Sequence, residues 1–331
     1  MIKTILKNNR GIALLITILM IAIIVVLTLQ FNSSMRYELS GAVNSKDNIM
    51  LGYIAKSGYN LALAVLREDE AASDTLNDDW ALLKELSIFS ERLFESGRFY
   101  VEVKDLAGKI QINQLIKLDE TTGTWIYNED QKGILMRLLT SDIFELEKEA
   151  AEDILDNIKD WIDIDDDPTR YGSENSFYQF LEDPYPCRNG PLRSIYEMTQ
   201  INGVTKELFF GTNGNPGLKE FLTVYGDGLG KININTVDRN ILMVLSDDLD
   251  EEMVDEILQY RENEDNDLES PKWYQLALGT SEDIIKESLL TTKSLYFEIL
   301  STGIRDTAEK ELRAVVKRDG NYFLTLLYEI I

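Results

Sequence analysis

The chain has 331 residues, with 58 acidic against 33 basic side chains, a formal net charge of −25. That field repels nucleic acid, whose binding needs Lys and Arg to displace phosphate counterions. Histidine is absent and cysteine occurs once, as Cys187, which excludes Ser-His-Asp and Cys-His nucleophile pairs, zinc clusters and an intramolecular disulfide.

Residues 1–11 are short and polar, with Lys3, Lys7 and Arg10, and residues 12–31 are uncharged and mostly Ile, Leu, Val and Ala. A run of that length, at about 1.5 Å per residue, matches a bilayer core of roughly 30 Å. Basic residues before it and the acidic excess after it favour an N-in anchor with the body outside the cytoplasm. A cleaved signal peptide has a shorter apolar core followed by its small-residue site. Here the small residue comes first. Arg10-Gly11-Ile12-Ala13-Leu14-Leu15 resembles a prepilin leader, cut between Gly11 and Ile12 so that the helix stays on the mature chain. An ordinary signal anchor is the alternative. Most pilins and pseudopilins carry Glu at the fifth position after the cut, a charge costly in lipid that pairs with a neighbouring subunit's amine. That position is Ile16, which suits a subunit at the end of a filament.

Residues 32–67 keep helical spacing (Ile54, Tyr59, Leu61, Ala62, Val65), and the acidic stretch 68–95 reads as surface cover. Phe99-Tyr100-Val101-Glu102-Val103 alternates as a strand. A long acidic and mainly helical region follows, to about residue 290. Residues 295–300, 312–317 and 322–328 read as strands, the last two joined through Arg318-Asp319-Gly320-Asn321. A helix packed on such a meander is an α+β unit, and the early strand joins it only if the helical region is an insertion. Within that region, residues 192–210 and 230–262 resemble helix-hairpin-helix units. The second hairpin, Ser246-Asp247-Asp248-Leu249-Asp250-Glu251, has no glycine and is too acidic to meet phosphate.

The most chemically specific stretch runs from Asp160 to Glu174. Counted from Asp163 as position 1, Asp165, Asp167 and Glu174 fall at positions 3, 5 and 12, the carboxylate positions of an EF-hand loop. Position 6 is Pro168 where an EF-hand has Gly, so the spacing points to a calcium loop without an EF-hand domain. A solvated acidic loop is the plain alternative. A second ion near Asp156, Asp160 or Asp166 does not follow from spacing. Opposed catalytic carboxylates fit less well than a cation, because the acids alternate in one loop. Trp161, Tyr178, Tyr185 and Trp273 suit core packing as well as a sugar site.

In their order along the chain these segments resemble the K-type minor pseudopilin family of bacterial type II secretion systems. The resemblance rests on the leader with Ile16, on Gly108-Lys109-Ile110 leading to Asn113, and on Asp160-Trp161-Ile162-Asp163-Ile164-Asp165. Gly172-Ser173-Glu174 with Tyr178, Asn189-Gly190-Pro191-Leu192, Gly203-Val204-Thr205 and Lys231-Ile232-Asn233-Ile234-Asn235-Thr236 complete it. It implies a non-enzymatic, calcium-stabilised subunit that starts and caps the pseudopilus. Its fold would be a pilin-like α+β domain (residues 32–114 and 291–331) interrupted by an inserted α-helical domain (115–290). The implied Ca²⁺ ligands are Asp160, Asp163, Asp165, Asp167 and Glu174; Asn175 and Ser176 stand where further acid is usual, so one ion is expected. Implied partners are the I-, J- and H-type minor pseudopilins, the major pseudopilin, prepilin peptidase, the inner-membrane platform and secreted proteins. The implied place is the inner membrane with the head in the periplasm. A type IV minor pilin and an anchored extracytoplasmic hydrolase are the alternative readings.

Overall fold

In this computed structural model the described residues are 11–212, 214–320 and 322–331. Residues 1–10, where the leader is expected, and Asn321 of the hairpin lie outside them. Helix α1 (Ile12–Glu68) runs 57 residues without a proline, a length of about 85 Å. Its first stretch is apolar on every side and exposed, Ile12 and Ile16 included. It is long and apolar enough to cross a membrane. An all-round apolar helix has no solvent face, so lipid or other helices must cover it. A buried stripe starts only at Leu51 and continues through Ile54, Ala55, Gly58, Tyr59, Ala62 and Leu66, three or four residues apart.

That stripe packs on a four-stranded antiparallel sheet of β1 (Arg98–Asp105), β2 (Tyr296–Arg305), β3 (Ala308–Asp319) and β4 (Tyr322–Ile330), adjacent in that order. Alternation in β1 sends Phe99, Val101 and Val103 to α1, and β2 and β3 add Phe297, Ile299, Leu312, Ala314 and Val316. The helix lies close because Gly303 faces its backbone: a Cβ there would strike the Leu51 carbonyl and the Ala55 nitrogen. Beside it, Ser301 Oγ donates to the Ala55 carbonyl at 2.7 Å. The acidic stretch 68–95 departs from its sequence reading. It is not mere surface cover, since Trp80 and Leu83 are buried under it and Trp80 meets Phe297 edge to face at 5.3 Å. A lone Trp in a polar run has no periodicity to announce it.

β1 and β2 are neighbours in the sheet, so residues 106–295 form an insertion between them. It has its own core, built on α2 (Glu129–Thr140), α3 (Lys148–Ile162), α4 (Arg239–Met243) and α5 (Glu251–Glu262). Of the two helix-hairpin-helix segments, the second is α4 and α5, with Asp250 accepting from Met253 N at the start of α5. The first begins with a 3₁₀ turn, Ile195–Gln200, held by a Ser194/Glu197 capping box. Two short parallel pairs stitch the body, Ile110–Gln111 to Leu222–Thr223 and Ile232–Asn233 to Leu290–Thr291. At the joint with the sheet, buried Asn233 Nδ2 donates to the Asp74 carbonyl (3.1 Å), Asp105 Oδ2 (3.0 Å) and Ser294 Oγ (2.9 Å).

Candidate metal centre

Helix α3 carries Ala151, Ile154, Leu155, Ile158, Trp161 and Ile162 on its inner side, which fixes its rotation. The same rotation buries Asp160 in the last turn and Asp163 at the C-cap. Two carboxylates at a helix C-terminus face the negative end of its dipole, the unfavourable arrangement. The chain then loops out and returns at Glu174, which precedes a short helix, Asn175–Gln179. One carboxylate oxygen from each of Asp160, Asp163 and Glu174 lies within 4.8 Å of the others, and all three residues are buried. Thr169 fastens the loop, its N–H donating to Asp160 Oδ2 at 2.9 Å and its hydroxyl to Asp160 Oδ1. Gly172 packs against the same carboxylate so tightly that a Cβ would overlap it.

Among the described residues, one cation serves these acids. Lys159 Nζ lies 2.9 Å from Asp163 Oδ2 and 3.8 Å from Asp160 Oδ1. Neither Glu174 oxygen, nor Asp163 Oδ1, has a hydrogen-bond partner among the described residues. Burial, then the charges of Asp160 and Asp163, push the Glu174 carboxyl up to about 8. Burial raises Asp163 to about 6 against the Lys159 ammonium, and raises Asp160 despite its Thr169 hydrogen bonds. Buried carboxylates without partners are costly, and a cation is the group that relieves them while they stay ionised. An all-oxygen donor set suits a hard divalent ion such as Ca²⁺ or Mg²⁺.

Of the five residues expected at the ion, Asp160, Asp163 and Glu174 converge. Asp165 and Asp167 stand exposed on the outgoing loop, where Asp165 Oδ1 accepts from Asp167 N at 3.0 Å. Pro168 at the EF-hand glycine position goes with this course, and residues 164–168 run along the surface. Asp156 accepts from Tyr127 Oη and from Tyr171 N, and Asp166 from Asn189 Nδ2. Sequence reasoning missed Lys159 and Thr169; the Lys159–Asp163 spacing of four on a helix was the available signal. Trp161 and Tyr178 lie buried under the loop, 5.0 Å apart edge to face, as core. Trp273 is buried and stacked on Tyr260 at 5.4 Å. Burial pushes the Cys187 thiol up to about 11, so it stays protonated.

A second group of carboxylates, Asp69, Asp74 and Asp78, gathers at the end of α1. Here the charge is met: Arg318 reaches Asp69 at 3.0 Å and Asp74 at 2.8 Å, with Lys293 at 3.7 Å from Asp74. The two clusters differ in their counter-charge.

Residues 108–211, which include the whole acidic loop from Asp160 to Glu174, match the family model described as Type II secretion system (T2SS), protein K. A putative type II secretion system protein K of Escherichia coli K12 is 26% identical over 206 residues, 61% of this chain and 60% of that protein. A type II secretion system protein K of Aeromonas hydrophila is 25% identical over 209 residues, 61% of each. The chain thus spans about 60% of the length of these curated relatives. In fold, the chain is similar to one in the crystal structure of the GspK-GspI-GspJ complex from the enterotoxigenic E. coli type 2 secretion system. The TM-score is 0.66 at 20% identity, over 87% of this chain and 98% of that one. The early strand, the interrupting helical body and the C-terminal meander are therefore a shared architecture. Residues 108–211 are thus similar to type II secretion system protein K, and the chain shares the fold of the solved structure.

Proposed function

We propose that this chain is a minor pseudopilin of a type II secretion system, a non-catalytic subunit that starts the pseudopilus and caps its tip. The observation that carries the reading is the pairing of one exposed apolar helix with a broad head. Before Leu51, α1 has no buried residue, while the inserted body adds a second core to the one beneath the sheet. Such a helix suits storage in the inner membrane and later packing among other pilin helices, with the head in the periplasm. Ile16 in place of an acid removes the charge that would call for a neighbour beyond it. The solved relative in complex with GspI and GspJ supports I- and J-type minor pseudopilins as partners. The H-type subunit, the major pseudopilin, prepilin peptidase, the inner-membrane platform and secreted proteins complete the proposed set.

Asp160, Asp163 and Glu174 would hold one Ca²⁺, with Asp165 and Asp167 on the same loop. The ion would supply the positive charge those buried carboxylates lack, so its part is to stiffen the loop. Removing the chain from its own cell and quantifying exported proteins inside and outside tests the reading. Substrates should accumulate in the periplasm. Normal release, with only pilus-dependent motility or adhesion lost, would point to a type IV system instead.

A further inference from the structure

The outer face of the sheet, turned away from α1, meets the inserted body across a cleft of about 220 Å³. Leu222, Val315 and Leu327 give it an apolar lining, and Lys109, Arg193, Lys219 and Arg313 stand around it. Its two carboxylates are Glu298 and Glu329, and Arg313 already engages Glu298 at 2.6 Å. Four bases to two acids reverses the balance of the whole chain, which has 33 to 58. Neither Lys109 nor Arg193 forms an ion pair of its own among the described residues. The Lys109 ammonium is half-buried, with the Lys219 carbonyl at 3.5 Å as its weak polar contact. A buried ammonium left so poorly paired is costly, and burial accordingly lowers its pKa.

We infer that this cleft docks the C-terminal residue of a partner polypeptide, its carboxylate on Lys109 and Arg193 and its apolar side chain against Val315 and Leu327. The charge matches because an incoming anion relieves the poorly paired Lys109 ammonium and meets the exposed Arg193 guanidinium. The size matches because the space holds about one residue, well below a drug-sized pocket of roughly 300–1,000 Å³. Capture of a terminal carboxylate is a recurrent recognition mode. The inference does not depend on the secretion reading, since any partner with a free C-terminus is chemically suitable.

Saturation-transfer NMR on the full chain in detergent tests it with three probes. N-acetyl-leucine carries both the carboxylate and the aliphatic group; N-acetyl-leucinamide lacks the charge; inorganic phosphate lacks the aliphatic group and, having no carbon-bound protons, is read by its displacement of the acid. The acid should bind about tenfold more tightly than the amide, the ratio expected for one desolvated charge contact. Lys109→Met should weaken the acid about tenfold, and Glu329→Gln should strengthen it a few-fold by removing a like charge. Arg193→Gln, at an exposed site, carries the same test should Lys109→Met fail to fold. Equal binding of acid and amide, phosphate binding as tightly as the acid, or indifference to Arg193→Gln would overturn the inference.

Discussion

Arg318 on β3 grips Asp74 at two points, each terminal nitrogen 2.8 Å from one carboxylate oxygen. Asp74 is fully buried in the linker after α1, and the same guanidinium reaches Asp69 and, at 3.1 Å, the Ser294 carbonyl. This one side chain ties the end of the long helix to the hairpin and to the point where the chain leaves the inserted body. Its planar fork allows three partners at once, which a lysine cannot reproduce.

Arg318→Ala should therefore cost about 3–5 kcal/mol, because it strands a buried carboxylate whose remaining cation, Lys293, is 3.7 Å away. Arg318→Lys should recover only part of the loss. Denaturant unfolding of the full chain measures both, and near-wild-type stability of the alanine variant would show the grip to be unimportant.

The proposed calcium site predicts a chelator response. With calcium at about a hundredfold above its dissociation constant, bound ion adds about 2.7 kcal/mol to stability, so chelation should lower the Tm by several degrees. Glu174→Gln removes a buried carboxyl whose two oxygens have no partner. It should abolish the calcium response and raise the Tm of the chelated protein. Gly172→Ala should also abolish the response, because its Cβ overlaps the Asp160 carboxylate. Calorimetry with and without calcium distinguishes these outcomes.

The contact of α1 with the sheet depends on a missing side chain. Gly303→Ala places a Cβ against helix backbone at Leu51 and Ala55, which cannot swing aside. The expected cost is about 1–3 kcal/mol, the range for overpacking, with faster proteolysis of the middle of α1. Limited digestion followed by mass measurement reads this directly.

Asp105 sets a pH dependence. Burial raises its pKa, against lowering by the Ser294, Thr236 and Ala107 hydrogen bonds. The folded state then holds the proton more tightly than the unfolded chain. This contribution is full below the unfolded value of about 3.9 and is lost as pH rises through the folded one. Asp105→Asn removes the term. Relative to the variant, the wild type should gain stability on acidification from pH 7 towards 4, by at most about 1.4 kcal/mol per pH unit. Parallel unfolding free energies at several pH values check the sign.

Much of the frame is legible in sequence because its signals are periodic. The apolar run and its 3–4 spacing give α1, alternation gives β1, and the hairpin signal at Arg318–Asn321 gives the turn of the meander. Asp163 and Glu174 come together as positions 1 and 12 of the loop, while Asp160 was reached only through the family resemblance. Asp165 and Asp167 fit the spacing yet stand exposed, since the EF-hand turn needs a glycine and the chain has Pro168. The contacts of Arg318, Asp74 and Asn233 were invisible for another reason. Apart from the Ser294 carbonyl, 24 residues from Arg318, the groups that tie these residues to the joint are between 61 and 249 residues away, and no local pattern encodes a contact across an inserted domain.

The most direct measurement is co-expression of the full chain with the I- and J-type minor pseudopilins of its own cell, followed by purification in detergent and native mass determination. A complex holding one copy of each is expected, dependent on α1. Recovery of the three folded subunits without association would contradict the assignment as a pseudopilus tip subunit.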